Sequence, residues 1–180
     1  MGAYPGTFDP PTIAHVAIAD AARRQCGLDA VDFIVNEVPL GKAGVRTLAS
    51  RVAMLEALAA SRPWVRVVVT DRLHLADIAE GYDVLVLGAD KWAQVLDASF
   101  YESEAARDAA VARLPRLAVA PRHGLALPGG CVVLDIGDGH DAVSSTAARS
   151  GRVDVVPPEV RSVLERDQGA GFSDAPAAPG

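Results

Sequence analysis

Short, continuously apolar runs alternate along the chain with longer segments whose apolar residues return every three or four positions. The runs VDFIVN (31–36), VRVVVT (65–70), YDVLVLG (82–88), RLAVAP (116–121) and CVVLDI (131–136) are bounded by turn residues. Runs of this kind fit strands covered on both faces. The segments TIAHVAIADAARRQ and TLASRVAMLEALAAS instead place Ile13, Val16 and Ala17, then Val52, Leu55 and Leu58, at helical spacing. The order is βαβα. It predicts an α/β fold, a Rossmann-like doubly wound parallel sheet with right-handed crossovers and helices on both faces. Ligands of such sheets bind beyond the carboxyl ends of the strands, where the strand order switches. The first strand has only MGAY (1–4) to draw on, which leaves room for a translation start slightly upstream. A single domain is expected over residues 1–168. The small, nearly charge-free stretch GAGFSDAPAAPG (169–180) reads as a flexible C-terminal tail.

Composition narrows the partners. With 180 residues, of which 50% are hydrophobic, the chain can bury one sizeable core. A net charge of -6 argues against nucleic acid as the main partner, while a local basic cluster can still take a small anion. Cys26 and Cys131 are isolated thiols without CxxC spacing, and no secretory signal precedes them, so a cytoplasmic protein without disulfides is expected. Every apolar run stops far short of the roughly 20 residues that span a bilayer, and no membrane association is expected.

Two stretches carry candidate chemistry. In YPGTFDPPTIAH (4–15), a strand ends near Tyr4, a loop follows, and Thr12 is the natural N-cap of a helix that carries His15 one turn in. A helix N-terminus offers free N–H groups and partial positive charge, so the loop forms an anion site beside an imidazole. Gly6 permits close backbone approach, and Asp9 between Phe8 and two prolines is a fixed turn acceptor. In VSSTAARSG (143–151), a Ser/Thr N-cap is followed by Arg149 one turn later. Taken singly, Thr12 is equally a plain cap, His15 a half-buried spacer and the second stretch an ordinary capped helix. Together they offer an anion two helix N-termini, an imidazole and an arginine. His74, His123 and His140 lack mutual metal-ligand spacing and read as loop or surface residues. The acidic and imidazole groups of 135–141 fit a Gly-rich turn as well as a metal site. Arg122 stands near a strand end.

The first stretch resembles the signature of the nucleotidyltransferase superfamily, GxFDPx(H/T)xGH, which grips a nucleoside triphosphate. The second resembles that superfamily's SSTxxR segment, which binds the β- and γ-phosphates. VLGADKWAQV (86–95) is similar to the LGAD segment of nicotinate mononucleotide adenylyltransferases, as is the Lys-containing loop and Arg/Met-Leu helix of VPLGKAGVRTLASRVAML (38–55). One departure stands out: Ala14 occupies a position usually held by Gly. The first motif by itself is most similar to pantetheine-phosphate adenylyltransferases, but their RG(L/I)R-like segment is absent, and residues 100–124 match no usual base-recognition loop.

The resemblance implies transfer of a nucleoside monophosphate, AMP from ATP foremost and otherwise from CTP, to a phosphate-bearing acceptor, foremost nicotinate mononucleotide, with release of pyrophosphate. It places His15, Thr12, Lys42 and Arg149 in catalysis. Gly6, Thr7, Phe8, Asp9, Gly88, Asp90, Ser144, Ser145 and Thr146 fall on the nucleotide, and Lys42 and Trp92 on the acceptor, Trp92 by stacking. Trp92 as a packing residue, Lys42 as a solvated charge and Asp90 as a helix cap remain open beside these roles. Mg²⁺ is expected on the nucleotide phosphates, with no protein metal site. Phosphopantetheine, a phospho-alcohol with CTP, or a nucleotide-binding protein without turnover are the alternatives. The resembling enzymes are commonly oligomers, which leaves a homo-oligomer open.

Overall fold

The computed structural model describes residues 1–37, 44–137, 139 and 143–170, with side chains as far as Asp167. Its elements are β1 (Gly2–Gly6), α1 (Ile13–Cys26), β2 (Val31–Asn36), α2 (Leu48–Ala60), β3 (Val65–Thr70), α3 (Leu75–Ile78), β4 (Val84–Gly88) and α4 (Ala89–Leu96). They continue as α5 (Glu104–Ala112), β5 (Arg116–Ala120), β6 (Val132–Val133), α6 (Ser145–Arg149) and α7 (Pro158–Ala170). The described strands form one sheet in the order β3-β2-β1-β4-β5-β6, parallel at every neighbour. This is the doubly wound arrangement that the apolar runs predict, and its switch point lies between β1 and β4.

The continuous apolar runs divide by period two between the faces. Tyr4, Val31, Phe33, Val35, Val84 and Val86 pack on one side with residues of α1, α2 and α7. Ala3, Ile34, Leu85, Leu87 and Val119 pack on the other with residues of α3 and α4. Small residues let α1 lie close to its core, through buried Ala14, Ala19, Ala21 and Ala22. Across the outer layer, ion pairing of Arg62 with Glu159 and a hydrogen bond from Ser50 to Asp167 pin α7 along α2.

Three boundaries differ from the sequence pattern. β1 runs to Gly6, so Pro5 sits inside the strand and not in the loop. It is tolerated because β1 pairs with β4 only at Gly2 and Ala3, while its pairing with β2 continues to Gly6. β6 shrinks to Val132–Val133, and Gln25 of α1 supplies a ladder-like exchange with Asp135 in its place, accepting from its N–H (3.2 Å) and donating to its C=O (2.9 Å). α7 extends through Ala170, and the tail expected from 169 onward lies, after that residue, outside the described residues.

Two local features fix the sheet's ends. At the carboxyl end of β1 the chain folds Phe8 back over Gly6. Phe8 adopts a left-handed backbone (φ 50°) and its ring is buried, edge-on to Tyr4 at 5.5 Å and tilted against Phe33 at 5.1 Å. A Cβ on Gly6 would stand 2.6 Å from Cζ of that ring. At the opposite end, buried Asp32 on β2 accepts both guanidinium nitrogens of Arg66 on β3 (2.7 and 2.9 Å) and the Tyr82 hydroxyl (2.7 Å). Burial, and then the Asp32 hydrogen bond, push the Tyr82 phenol up to about 12.

The Gly6→Ala variant is expected to lose about 1–3 kcal/mol of stability, the usual cost of overpacking; equilibrium denaturant unfolding that matches wild type would show that Phe8 swings aside freely. Tyr82 yields a pH prediction. An unfolded tyrosine ionises near pH 10 whereas folded Tyr82 keeps its proton to about 12. The unfolded state then holds fewer protons in that window, and stability falls as pH rises from about 10 to 12. Tyr82→Phe is expected to be less stable than wild type at pH 8, by about 1–3 kcal/mol for a hydrogen bond to a carboxylate, with a smaller difference at pH 11. Equal differences at the two pH values would contradict the assignment.

Candidate functional site

The site starts where β1 and β4 part. β1 pairs with β4 only through Gly2–Val84 and Ala3–Leu85, after which β1 bonds to β2 and β4 to β5. Into this crevice run the loop after β1, the N-terminus of α1 and the N-terminus of α4. Gly88, the N-cap of α4, leaves open space where a side chain would stand. The helix-cap reading of Asp90 is not met: the cap is Gly88, and Asp90, in the first turn, pairs instead with Arg122 Nε beyond β5 (3.0 Å). Burial pushes the Tyr4 phenol up, with the Arg122 charge pulling it back.

Thr12 caps α1 as the sequence predicts, and His15 completes the cap from its third position. The Thr12 N–H donates to His15 Nδ1 at 3.0 Å, and Thr12 Oγ1 lies 2.8 Å from the same nitrogen. A backbone N–H can only donate, so Nδ1 is the acceptor and the imidazole proton resides on Nε2. This is a capping box with His in the place of Glu or Gln. The imidazole packs edge-on to Phe8 at 5.2 Å, so the buried aromatic cluster sets its tilt. Ala14, at the position where the resembling enzymes carry Gly, is buried among the core residues under α1. Its methyl is therefore accommodated by packing.

The two sequence motifs meet directly. Ser145 Oγ donates to the Pro10 carbonyl at 2.8 Å, and Arg149 Nη1 donates to the Asp9 carbonyl at 2.6 Å. Ser144 is the N-cap of α6, accepting from Ala147 N–H at 3.1 Å, and Arg149 Nη2 reaches Thr146 Oγ1 at 3.3 Å. The Ser145 hydroxyl and the arginine of the second motif are thus fastened to the loop of the first.

Asp9 holds the loop from the other side. Its carboxylate is 1% exposed and accepts from Arg46 Nη1 at 2.6 Å and from Arg46 N–H at 3.2 Å. Asp9 is the acceptor in the loop that the sequence suggests, and the resemblance also places it on the nucleotide; its partner Arg46 was not singled out. The available signal was that a buried carboxylate requires a cation, and Arg46 stands beside the Thr47 cap of α2. Thr7 is half-buried within the loop. Trp92, on α4, is 8% exposed and belongs to the buried cluster that includes Leu87 and Val95. Lys42 and His140 lie outside the described residues. Among the described histidines, His74 stacks on Tyr101 at 5.6 Å and His123 is exposed. Asp135 accepts from Gly137 N–H at 3.1 Å, a turn contact, and the described residues contain no cluster of three His, Cys, Asp or Glu able to hold a metal.

The arrangement can receive a polyanion: a capped helix N-terminus, an oriented imidazole, hydroxyls and an arginine converge at one loop. Comparison with known proteins agrees with this geometry. A segment of 58 residues is 40% identical to a probable nicotinate-nucleotide adenylyltransferase of Listeria monocytogenes serotype 4a, covering 31% of each chain. Over 68 residues the chain is 41% identical to the same-named protein of Bacillus pumilus, covering 37% of this chain and 36% of that one. The match therefore spans about a third of the length of these relatives. The fold matches nicotinic acid mononucleotide adenylyltransferase of Plasmodium falciparum in its complex with APC, at a TM-score of 0.70 and 14% identity over 96% of this chain and 97% of that one. The same enzyme complexed with NaAD gives a TM-score of 0.68 at 13% identity, with the same coverage. With the cytidylyltransferase-like family model matching residues 3–150, both phosphate motifs included, the chain belongs to the cytidylyltransferase-like family.

Proposed function

We propose that this protein transfers AMP from ATP to nicotinate mononucleotide and releases pyrophosphate. The observation that carries the transferase reading is the junction of the two motifs, Ser145 on Pro10 and Arg149 on Asp9, beside the capped helix of His15. The names of the partial relatives and of the structural neighbour support the pyridine mononucleotide as acceptor.

In this reading an oxygen of the acceptor's phosphate attacks the α-phosphorus in line, the bond from that phosphorus to the bridging oxygen breaks, and pyrophosphate leaves with the electron pair. No covalent enzyme intermediate is required. The protein's contribution is positioning and stabilisation of charge that grows on the phosphate oxygens. His15 donates from Nε2 to an α-phosphate oxygen, and Thr12 keeps the ring in that tautomer. Arg149, Ser144, Ser145 and Thr146 receive the leaving pyrophosphate, Lys42 serves the phosphates of both substrates, and Gly6, Thr7 and Gly88 let the nucleotide approach backbone. Phe8 and Asp9 act from beneath, by shaping the loop, and buried Trp92 supports the α4 wall.

Mg²⁺ fits this donor set as an ion carried by the nucleotide phosphates. Asp9, the one buried carboxylate among the described loop residues, is already committed to Arg46. When bound, the ion supplies charge neutralisation on the triphosphate. The protein is proposed to act in the cytoplasm; no described helix is long and apolar enough to cross a membrane.

The His15→Ala variant is expected to lower kcat for pyrophosphate release by about 10²–10³, the worth of one positioned donor, with little change in ATP affinity. An equal fall in affinity would remove the transition-state role from His15. The acceptor is tested by offering ATP or CTP with nicotinate mononucleotide, nicotinamide mononucleotide, phosphopantetheine or glycerol 3-phosphate. Release with nicotinate mononucleotide is the expected result. Release with another acceptor, or ATP binding without turnover on any, would overturn it.

A further inference from the structure

Arg51 is the bulkiest of the fully buried side chains, only 1% exposed, and it lies one turn into α2. A buried guanidinium is costly unless its donors are met. Burial lowers its pKa, and the negative charge of Asp9 opposes that fall. Its Nε donates to the Arg46 carbonyl at 3.2 Å, and its Nη2 donates to the carbonyls of Asn36 (3.0 Å) and Glu37 (3.1 Å). Asn36 ends β2 and Arg46 directly precedes the cap of α2, so one planar fork ties the end of a strand to the start of the next helix.

The connection runs onward. Arg46, held by its carbonyl, gives both its N–H and its Nη1 to the Asp9 carboxylate, and the Asp9 carbonyl accepts from Arg149. Arg51 Nη1, meanwhile, is buried without a hydrogen-bond partner among the described residues. An apolar side chain of similar size would leave the carbonyls of Arg46, Asn36 and Glu37 without this donor. The fork therefore fixes the spacing between the end of β2 and the start of α2 through three carbonyls at once.

The geometry points to Arg51 as a positioning residue: through Arg46 it sets the Asp9–Arg149 junction that shapes the nucleotide site. This rests on the nucleotide reading of the site and goes beyond it, because Arg51 is bonded to backbone carbonyls behind the loop and is not among the residues assigned to the ligand.

The test compares MgATP binding by calorimetry for wild type, Arg51→Lys, Arg46→Met and the double variant, at a temperature below every thermal midpoint. A purely structural arginine would lower the binding stoichiometry with the folded fraction and leave Kd unchanged. A positioning arginine raises Kd at full stoichiometry. The expected result is about a tenfold weaker Kd for Arg51→Lys, which is about 1.4 kcal/mol of binding free energy. The double variant should be no weaker than the weaker single, because both act through one link. A Kd for folded Arg51→Lys within about twofold of wild type, or losses that multiply in the double variant, overturns the proposal while leaving the nucleotide reading intact. Wild type that binds no MgATP overturns both. Should Arg51→Lys fail to fold, the Arg51 Nε–H resonance of ¹⁵N-labelled wild type decides: a shift on adding MgATP is expected, and a signal that does not move overturns the positioning role.

Discussion

A carboxylate sealed from water in the loop after the first strand imposes the geometry of everything around it. Asp9 is 1% exposed, and a charge so placed must be met by another charge or by several donors. Arg46 meets it twice, with side chain and backbone. The start of α2 is thereby fixed against the loop, because leaving Asp9 without its partner costs about 3–5 kcal/mol. The same residue's carbonyl takes Arg149. Segments 37 and 140 residues away in the chain therefore meet at a single residue, and the electrostatic demand of one buried group becomes the alignment of two phosphate motifs.

Aromatic packing supplies what electrostatics cannot, the path of the loop itself. A left-handed backbone costs an ordinary L-residue about 1–2 kcal/mol, yet Phe8 holds one because its ring fills the space between Gly6, Tyr4, Phe33 and His15. The requirement for glycine at position 6 is then internal to the protein, set by the Phe8 ring. The Ala14 departure is absorbed in the same way, by the core under α1. Residues that the resemblance assigns to a ligand thus shape the loop first.

The caps of α1 and α6 were legible because short local rules write them: a Thr or Ser before a helix, and an arginine one turn in. The sheet was legible for a related reason, since strands buried on both faces need unbroken apolar runs. What stayed hidden was long-range pairing. Nothing local to Arg46 or Arg51 says that one meets Asp9 and the other the end of β2, and Asp32 reads as an ordinary polar interruption until Arg66 and Tyr82 close on it. Trp92 was open between stacking and packing, and the structure gives it the packing place. Its place on α4 beside a cleft suggests a ring for stacking, whereas the period of that helix turns it into the core.

The two ends of the sheet are held by different means, and the difference suits the crevice to the proposed transfer, which depends on positioning. At the amino-terminal end Asp32, Arg66 and Tyr82 cross-link β2, β3 and the approach to β4 with three hydrogen bonds on one buried carboxylate. At the carboxyl end the β1–β4 ladder stops at Ala3–Leu85 and the strands go separate ways. A gap opened by releasing backbone pairing would normally widen and close with thermal motion. Here one wall is braced by β2 and the other by β5, while the loop that crosses the opening is tied by Arg46 and Arg149. Donors held in place before a ligand arrives need little reorganisation when charge develops in front of them, so the rigid lower end and the fastened loop are parts of one device.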